Sequence, residues 1–133
     1  WLFVKDHCRA VWEIMKAGTR GQTYNIGGRC ESTNIETVSM VCDLLDEMVP
    51  KADRTSRKDL ITFVKDRPGH DLRYAIDCSK LEKELGWAPI ESFATGLRKT
   101  VEWYLNNSQW VHRVKSGEYL DWVRQHYGDE EGV

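Results

Sequence analysis

Apolar residues fall at helical spacing along most of this chain, and glycine, proline and capping residues punctuate the runs. Cys8, Val11, Trp12 and Met15 recur three and four residues apart. This predicts a helix over residues 5–17, with Asp6 as its cap and Gly18 as its stop. Residues 23–26 (Thr-Tyr-Asn-Ile) read as a short strand running into Gly27-Gly28. A glycine pair there permits positive φ and close backbone approach. A plain strand exit is nonetheless favoured over a phosphate-proximal turn, because glycine turns are generic punctuation. Thr33 and Glu36 fit a capping box. The helix they open carries Ile35, Val38, Val41, Cys42, Leu45 and Val49 on one face, and Pro50 closes it.

Residues 51–59 are polar and loop-like, and residues 60–64 have the apolar, β-branched bias of a strand. A polar loop with proline and glycine at its centre follows, and residues 73–76 form a second short extended segment. Asp77 is placed to cap a helix containing Leu81 and Leu85, and Gly86 stands where a C′ glycine belongs. Trp87 and Pro89 make a rigid exit. Ser92 caps the next helix, with Phe93, Leu97, Val101 and Tyr104 at helical spacing. Ser108 caps a further helix, and Gly117 separates it from a last one ending near Tyr127, before a frayed tail. The pattern is helix-rich, with too few strands for a full doubly wound sheet.

Composition narrows the class. The chain has 133 residues, one domain's worth, with 41% hydrophobic and 30% charged residues, the balance of a globular protein. Six tryptophans and five tyrosines are a heavy aromatic load, expected as core or interface anchors. The net charge of −2 comes from interspersed residues, so no basic stripe argues for nucleic acid and no apolar run for a membrane span. Cys8, Cys30, Cys42 and Cys78 lack close pairing and are expected as reduced thiols rather than disulfide or zinc ligands. Trp1-Leu2-Phe3-Val4 opens in mid-pattern, which reads as a chain cut from something longer.

Familiar catalytic patterns are missing. The chain contains no G-x-G-x-x-G, no tyrosine followed four residues later by lysine, no G-x-S-x-G, no P-loop and no H-E-x-x-H. His7, His112 and His126 stand alone on helical stretches and carry no assigned role. The stretch Asp66-Arg67-Pro68-Gly69-His70-Asp71 is different. Arginine offers a planar fork that suits phosphate oxygens, and histidine adds a second donor. Proline and glycine between them fix the backbone so that both side chains point one way. A diphosphate clamp and a charged surface turn, with Arg67 paired to Asp66 or Asp71, stand level on these residues alone.

Taken in order, Tyr24-Asn25-Ile26-Gly27-Gly28, Asn34, Asp66 to Asp71, Arg73-Tyr74-Ala75-Ile76-Asp77 and Leu85-Gly86-Trp87-Ala88-Pro89 resemble the dTDP-glucose 4,6-dehydratases. So do the stretch from Gly96 to Tyr104, Trp110 with Lys115-Ser116-Gly117, and the opening Trp1 to His7. The resemblance spans nearly the whole chain. Its most specific part is Arg67-Pro68-Gly69-His70-Asp71 followed by Arg73 to Asp77; the other pieces are shared across extended short-chain dehydrogenase/reductases.

The resemblance implies an α/β protein in which a Rossmann domain carries NAD and a smaller carboxyl-terminal domain grips the nucleotide sugar. Residues 1–28 would be a remnant of the Rossmann domain, and residues 29–133 the nucleotide-sugar-binding domain. Asn34, Arg67 and His70 match positions the family uses at the dTDP moiety and its diphosphate, and Asp66, Pro68 and Gly69 complete that loop. Catalytic, cofactor-binding and metal-binding residues are not assigned to this chain, because the family's glycine-rich loop and catalytic groups lie upstream of Trp1. Residues 51–59 depart from the family pattern.

The implied activity is the NAD-dependent conversion of dTDP-glucose to its 4-keto-6-deoxy product, with this piece contributing substrate grip and binding no NAD itself. A free-standing sugar-nucleotide-binding module and a helical interaction module are the alternatives. The parent is expected to be a cytoplasmic homodimer. In the piece itself, residues 1–28 would lack neighbouring strands. They would then be disordered, repacked onto the other helices or exchanged between chains, with Val4, Val11, Trp12 and Met15 on an uncovered face.

Overall fold

The computed structural model describes residues 1–65, 69, 75–117 and 125. Five α-helices form among them: α1 (Val4–Ala17), α2 (Asn34–Met48), α3 (Ser79–Leu85), α4 (Phe93–Asn106) and α5 (Ser108–Ser116), with a 3-10 turn at Arg57–Leu60. Two compact units divide the chain, Trp1–Val101 and Glu102–Val133. Cys42 and Cys78 are buried and Cys8 is exposed, all as free thiols.

The core of the first unit lies where α1 meets α3. Ala10 and Leu81 are fully buried there with Trp87, and Leu2, Ile14, Tyr24, Ile26 and Leu85 pack around them. Residues 1–28 thus lean on α3 and the chain that follows it. Only one stripe of α1 is used. Its opposite stripe leaves Val4, Val11, Trp12 and Met15 exposed, with Trp12 at 58% and Met15 at 73%.

Asp6 does not cap α1. The helix begins one turn earlier than a cap at that position would allow, with Phe3 preceding it and no side-chain cap. Asp6 is instead 2% exposed, and its carboxylate accepts from the backbone amides of Ile90 (3.1 Å) and Glu91 (2.9 Å). Arg9 completes the set: it pairs with Asp6 at 2.9 Å, donates to the Ala88 carbonyl and lies over the Trp87 ring. Burial alone would raise the Asp6 carboxyl, but the Glu91 and Ile90 amides and the Arg9 guanidinium outweigh it and hold it below the ordinary carboxylate value. A buried charge survives only with such partners. Asp6 therefore bolts α1 to the exit of α3.

The other helix ends follow local chemistry. Thr33 and Glu36 form the full capping box of α2, through Glu36 N–H to Thr33 Oγ1 at 3.3 Å and Thr33 N–H to Glu36 Oε2 at 2.8 Å. The Ser79 amide donates to Asp77 Oδ1 at 2.9 Å, so Asp77 serves the start of α3 from one residue before its cap, Cys78. Gly86 ends α3 in the left-handed region at φ 65°. Ser92 Oγ accepts from the Thr95 amide at 3.2 Å at the head of α4. In the second unit, Asn107 rather than Ser108 precedes α5, and Gly117 closes it at φ 78°. Trp103 and Trp110 meet edge-on there, with centroids 5.1 Å apart.

The expected strands are absent among the described residues. An extended segment becomes a strand only when a neighbour supplies a hydrogen-bond ladder. At residues 23–26 none does, and Tyr24 and Ile26 pack on the α1–α3 core instead. At 60–64 the start is drawn into the 3-10 turn. Asp46 Oδ2 accepts from Ser56 Oγ and the Arg57 amide, while the Arg57 guanidinium reaches Asp46 Oδ1 (2.6 Å) and the carbonyls of Leu45 (3.1 Å) and Val49 (2.8 Å). Arg57 thereby satisfies carbonyls that the end of α2 would leave open. Arg73 and Tyr74 of the third expected segment, and the helix expected to end near Tyr127, lie outside the described residues.

Candidate functional site

Asn34 is the first residue of α2, directly behind the capping box. The carboxylate of Glu36 is held below its usual range by the Thr33 amide, then the Thr33 and Ser32 hydroxyls. Charged Glu36 therefore fixes the turn that carries Asn34. Asn34 lines an apolar cleft together with Ile35, Val38 and Leu45 of α2, Arg57, and residues 60–64. Phe63 (85% exposed) and Val64 (83% exposed) show how open the far wall is.

Asp66, Arg67, Pro68 and His70 lie outside the described residues. Gly69 has φ 72°, a left-handed conformation suited to the glycine of that loop. The two flanks of the loop meet different parts of the 27–34 stretch. On the entering side, Val64 lines the cleft with Asn34. On the leaving side, Ile76 sits against Gly27, where a side chain's Cβ would come within 3.1 Å of Ile76 Cβ. Asn34 thus shares a cleft with the segment that precedes the loop, and Gly27 lies against a residue that follows it.

That stretch is itself pinned. At Gly28 a Cβ would stand 1.9 Å from the Trp1 carbonyl oxygen, so no side chain fits. The Trp1 indole N–H donates to the Ser32 carbonyl at 3.0 Å. Arg29, with φ 52°, pairs through both Nε and Nη2 with the two carboxylate oxygens of Glu82 on α3. This fork holds the Glu82 carboxyl below its usual range. Neither Arg29–Glu82 nor Asp46–Arg57 was singled out by spacing. Each joins residues far apart in sequence or in different elements, and only the folded chain brings them together.

The Gly27-Gly28 turn does not have the form of a dinucleotide cradle. Gly27-Gly28 follows an extended segment, but the space beside Gly27 is taken by Ile76 and that beside Gly28 by the Trp1 backbone. The next helix begins only at Asn34, so no amide cradle opens directly from the glycines as a pyrophosphate site requires. No cluster of three or more metal-ligating side chains occurs among the described residues. No helix there is long and apolar enough to cross a membrane.

The profile of the GDP-mannose 4,6 dehydratase family matches residues 1–100. The chain belongs to that family. The dTDP-glucose 4,6-dehydratase of Salmonella typhimurium is 58% identical over 127 residues, covering 96% of this chain and 35% of that protein. The enzyme of the same name from Neisseria meningitidis is 53% identical over 121 residues, 90% of this chain and 34% of its own length. The chain therefore spans about a third of the curated relatives it matches. Crystal structures agree. The dTDP-glucose 4,6-dehydratase of Streptomyces venezuelae, with NAD bound, superposes with a TM-score of 0.71 at 40% identity over 83% of this chain and 31% of that one. The Bacillus anthracis enzyme, in complex with NAD, gives 0.69 at 43% identity over 83% and 32%. The helix-rich architecture is thus a part of the dehydratase fold, as the sequence motifs imply.

Proposed function

We propose that this chain is the carboxyl-terminal, nucleotide-sugar-binding part of a dTDP-glucose 4,6-dehydratase, with residues 1–28 belonging to the Rossmann side and residues 29–133 to the substrate domain. The cleft that Asn34 shares with residues 60–64, the segment entering the 66–71 loop, supports this reading. Asn34 offers an amide donor and acceptor. Arg67 supplies a bidentate fork for a diphosphate, and His70 a further donor, within the loop that Asp66, Pro68 and Gly69 complete.

The whole protein would convert dTDP-glucose to dTDP-4-keto-6-deoxyglucose plus water, with NAD supplying the hydride chemistry. No step of that chemistry runs on the residues of this chain. Its part is ground-state grip, because binding energy at the nucleotide orients the distant sugar for reaction. The parent would act as a cytoplasmic homodimer. Alone, this chain would bind no NAD, turn over no substrate and associate non-natively through the exposed stripe of α1.

Calorimetric titration with dTDP tests the reading. Weak binding is expected for the chain as given, and Arg67→Ala should weaken it by about 1–3 kcal/mol, the worth of a charge-assisted hydrogen-bonding group. Asn34→Ala should weaken it as well. An unchanged isotherm for both variants would remove the site, and a 4-keto product above a no-protein control would overturn the assignment of this chain to binding alone.

A further inference from the structure

We infer that Arg29 is a positioning residue for the nucleotide-sugar site: its ion pair with Glu82 holds a left-handed backbone turn that aims Asn34. The inference rests on the reading that Asn34 contacts the nucleotide.

Arg29 has φ 52°, a conformation that a side chain with Cβ resists and that persists only where surrounding contacts over-determine it. The contacts here are specific. The guanidinium meets Glu82 with its fork geometry, which a lysine could not reproduce. Glu82 is fixed in turn: it lies on α3, its carbonyl accepts from the Gly86 amide at 3.0 Å, and its carboxylate also takes the Cys78 thiol at 3.1 Å. Next to Glu82 in sequence is Leu81, fully buried in the core. The latch thus ties the 28–33 turn to the helix that carries the buried core residue Leu81.

The turn has little freedom beyond that residue. Gly28 lies against the Trp1 backbone, and the Ser32 carbonyl is held by the Trp1 indole. Thr33 then starts α2 with its capping box, and Asn34 follows. A change of φ at Arg29 rotates everything between two fixed points. Releasing the latch lets Arg29 fall back to negative φ, and the first turn of α2 has to move with it.

The Arg29 side chain is 59% exposed and the Glu82 side chain 20%, and neither belongs to the buried cluster of Ala10, Leu81 and Trp87, so loss of the pair should leave that core intact. That separates positioning from simple stability. The test compares dTDP titrations and backbone amide spectra of the full chain with those of Arg29→Ala, Glu82→Gln, the double variant, Arg29→Gly and the exchanged R29E/E82R pair. The inference expects Arg29→Ala and Glu82→Gln each to lose about fivefold in dTDP affinity, with the double variant no worse than either. The exchanged pair should regain most of the loss, and Arg29→Gly should lose less than Arg29→Ala because glycine accepts φ 52° freely. Amides of residues 33–37 should shift in the impaired variants while those around Leu81 stay in place. Single variants within twofold of the unmodified chain, additive losses in the double variant, or equal losses for alanine and glycine would each overturn it. Failure of the unmodified chain to bind dTDP would instead defeat the underlying site assignment and this inference with it.

Discussion

The α1–α3 core and the α2 cleft are built from similar residues and end in opposite states. At the core, α3 and the Trp87 segment cover one stripe of α1. Every charged group drawn inside has partners, as Asp6 shows with two backbone amides and Arg9. Among the described residues, the buried Trp87 indole nitrogen has no hydrogen-bond partner. Along α2 the polar contacts are just as orderly at the carboxyl end, where Arg57 clamps Asp46 and two carbonyls. The apolar wall above them remains open, with Leu60, Phe63 and Val64 all strongly exposed. The difference lies in what covers each face. The first supports the fold, and the second is a surface with space for something else, with a candidate ligand residue at its edge.

If the core carries the stability, damage there should dominate. Trp87→Ala removes a side chain only 2% exposed and should cost about 3–5 kcal/mol in denaturant unfolding. A loss below about 1 kcal/mol would show that this part of the molecule is not the core.

Breaking the Asp6 bolt should come next. Asp6→Asn keeps the shape but loses the charge, and should destabilise the chain by about 1.5–3 kcal/mol at neutral pH. The folded-state pKa of Asp6 is lowered, so the unfolded chain binds its proton more readily. Its contribution is therefore full above the unfolded carboxylate pKa and disappears as pH falls through the folded value. Unfolding midpoints measured from neutral to acid pH should fall more gently for Asp6→Asn than for the unmodified chain. Parallel acid limbs would mean that other lowered carboxylates, such as Glu36 and Asp46, account for the acid lability.

The cleft should answer least. Phe63→Ser changes a side chain with almost no cover and should move stability by less than about 0.5 kcal/mol. The same change should reduce the binding of an apolar dye, since it removes part of an exposed apolar surface. A large stability loss would mean that Phe63 is buried in solution and that the two regions are more alike than their exposure suggests.

What could be read from sequence follows the range of the interactions. Thr33 with Glu36, Ser92 and Gly86 act on amides or backbone angles within a few residues, so their roles are visible in the chain itself. Ser108 came one residue off because Asn107 is an equally good terminus in that pair. Asp6 meets the local requirements of a cap, whereas its amide partners lie 84 and 85 residues away. Residues 60–64 have the composition of a strand, but composition cannot supply the neighbouring ladder. The Arg67–His70 loop was level between clamp and surface turn on its residues, and the family motifs tipped it. Asn34 likewise came from the resemblance; the structure adds that it shares a cleft with the segment entering that loop.

The most direct measurement is a map of backbone amide shifts on adding dTDP to the isotopically labelled chain. The account predicts changes concentrated at residues 27–37 and 60–76, with the amides of Ala10, Leu81 and Trp87 unmoved. Shifts centred on the α1–α3 core, or none at residues 27–37 while dTDP binds, would contradict the division between a closed core and a nucleotide-facing cleft.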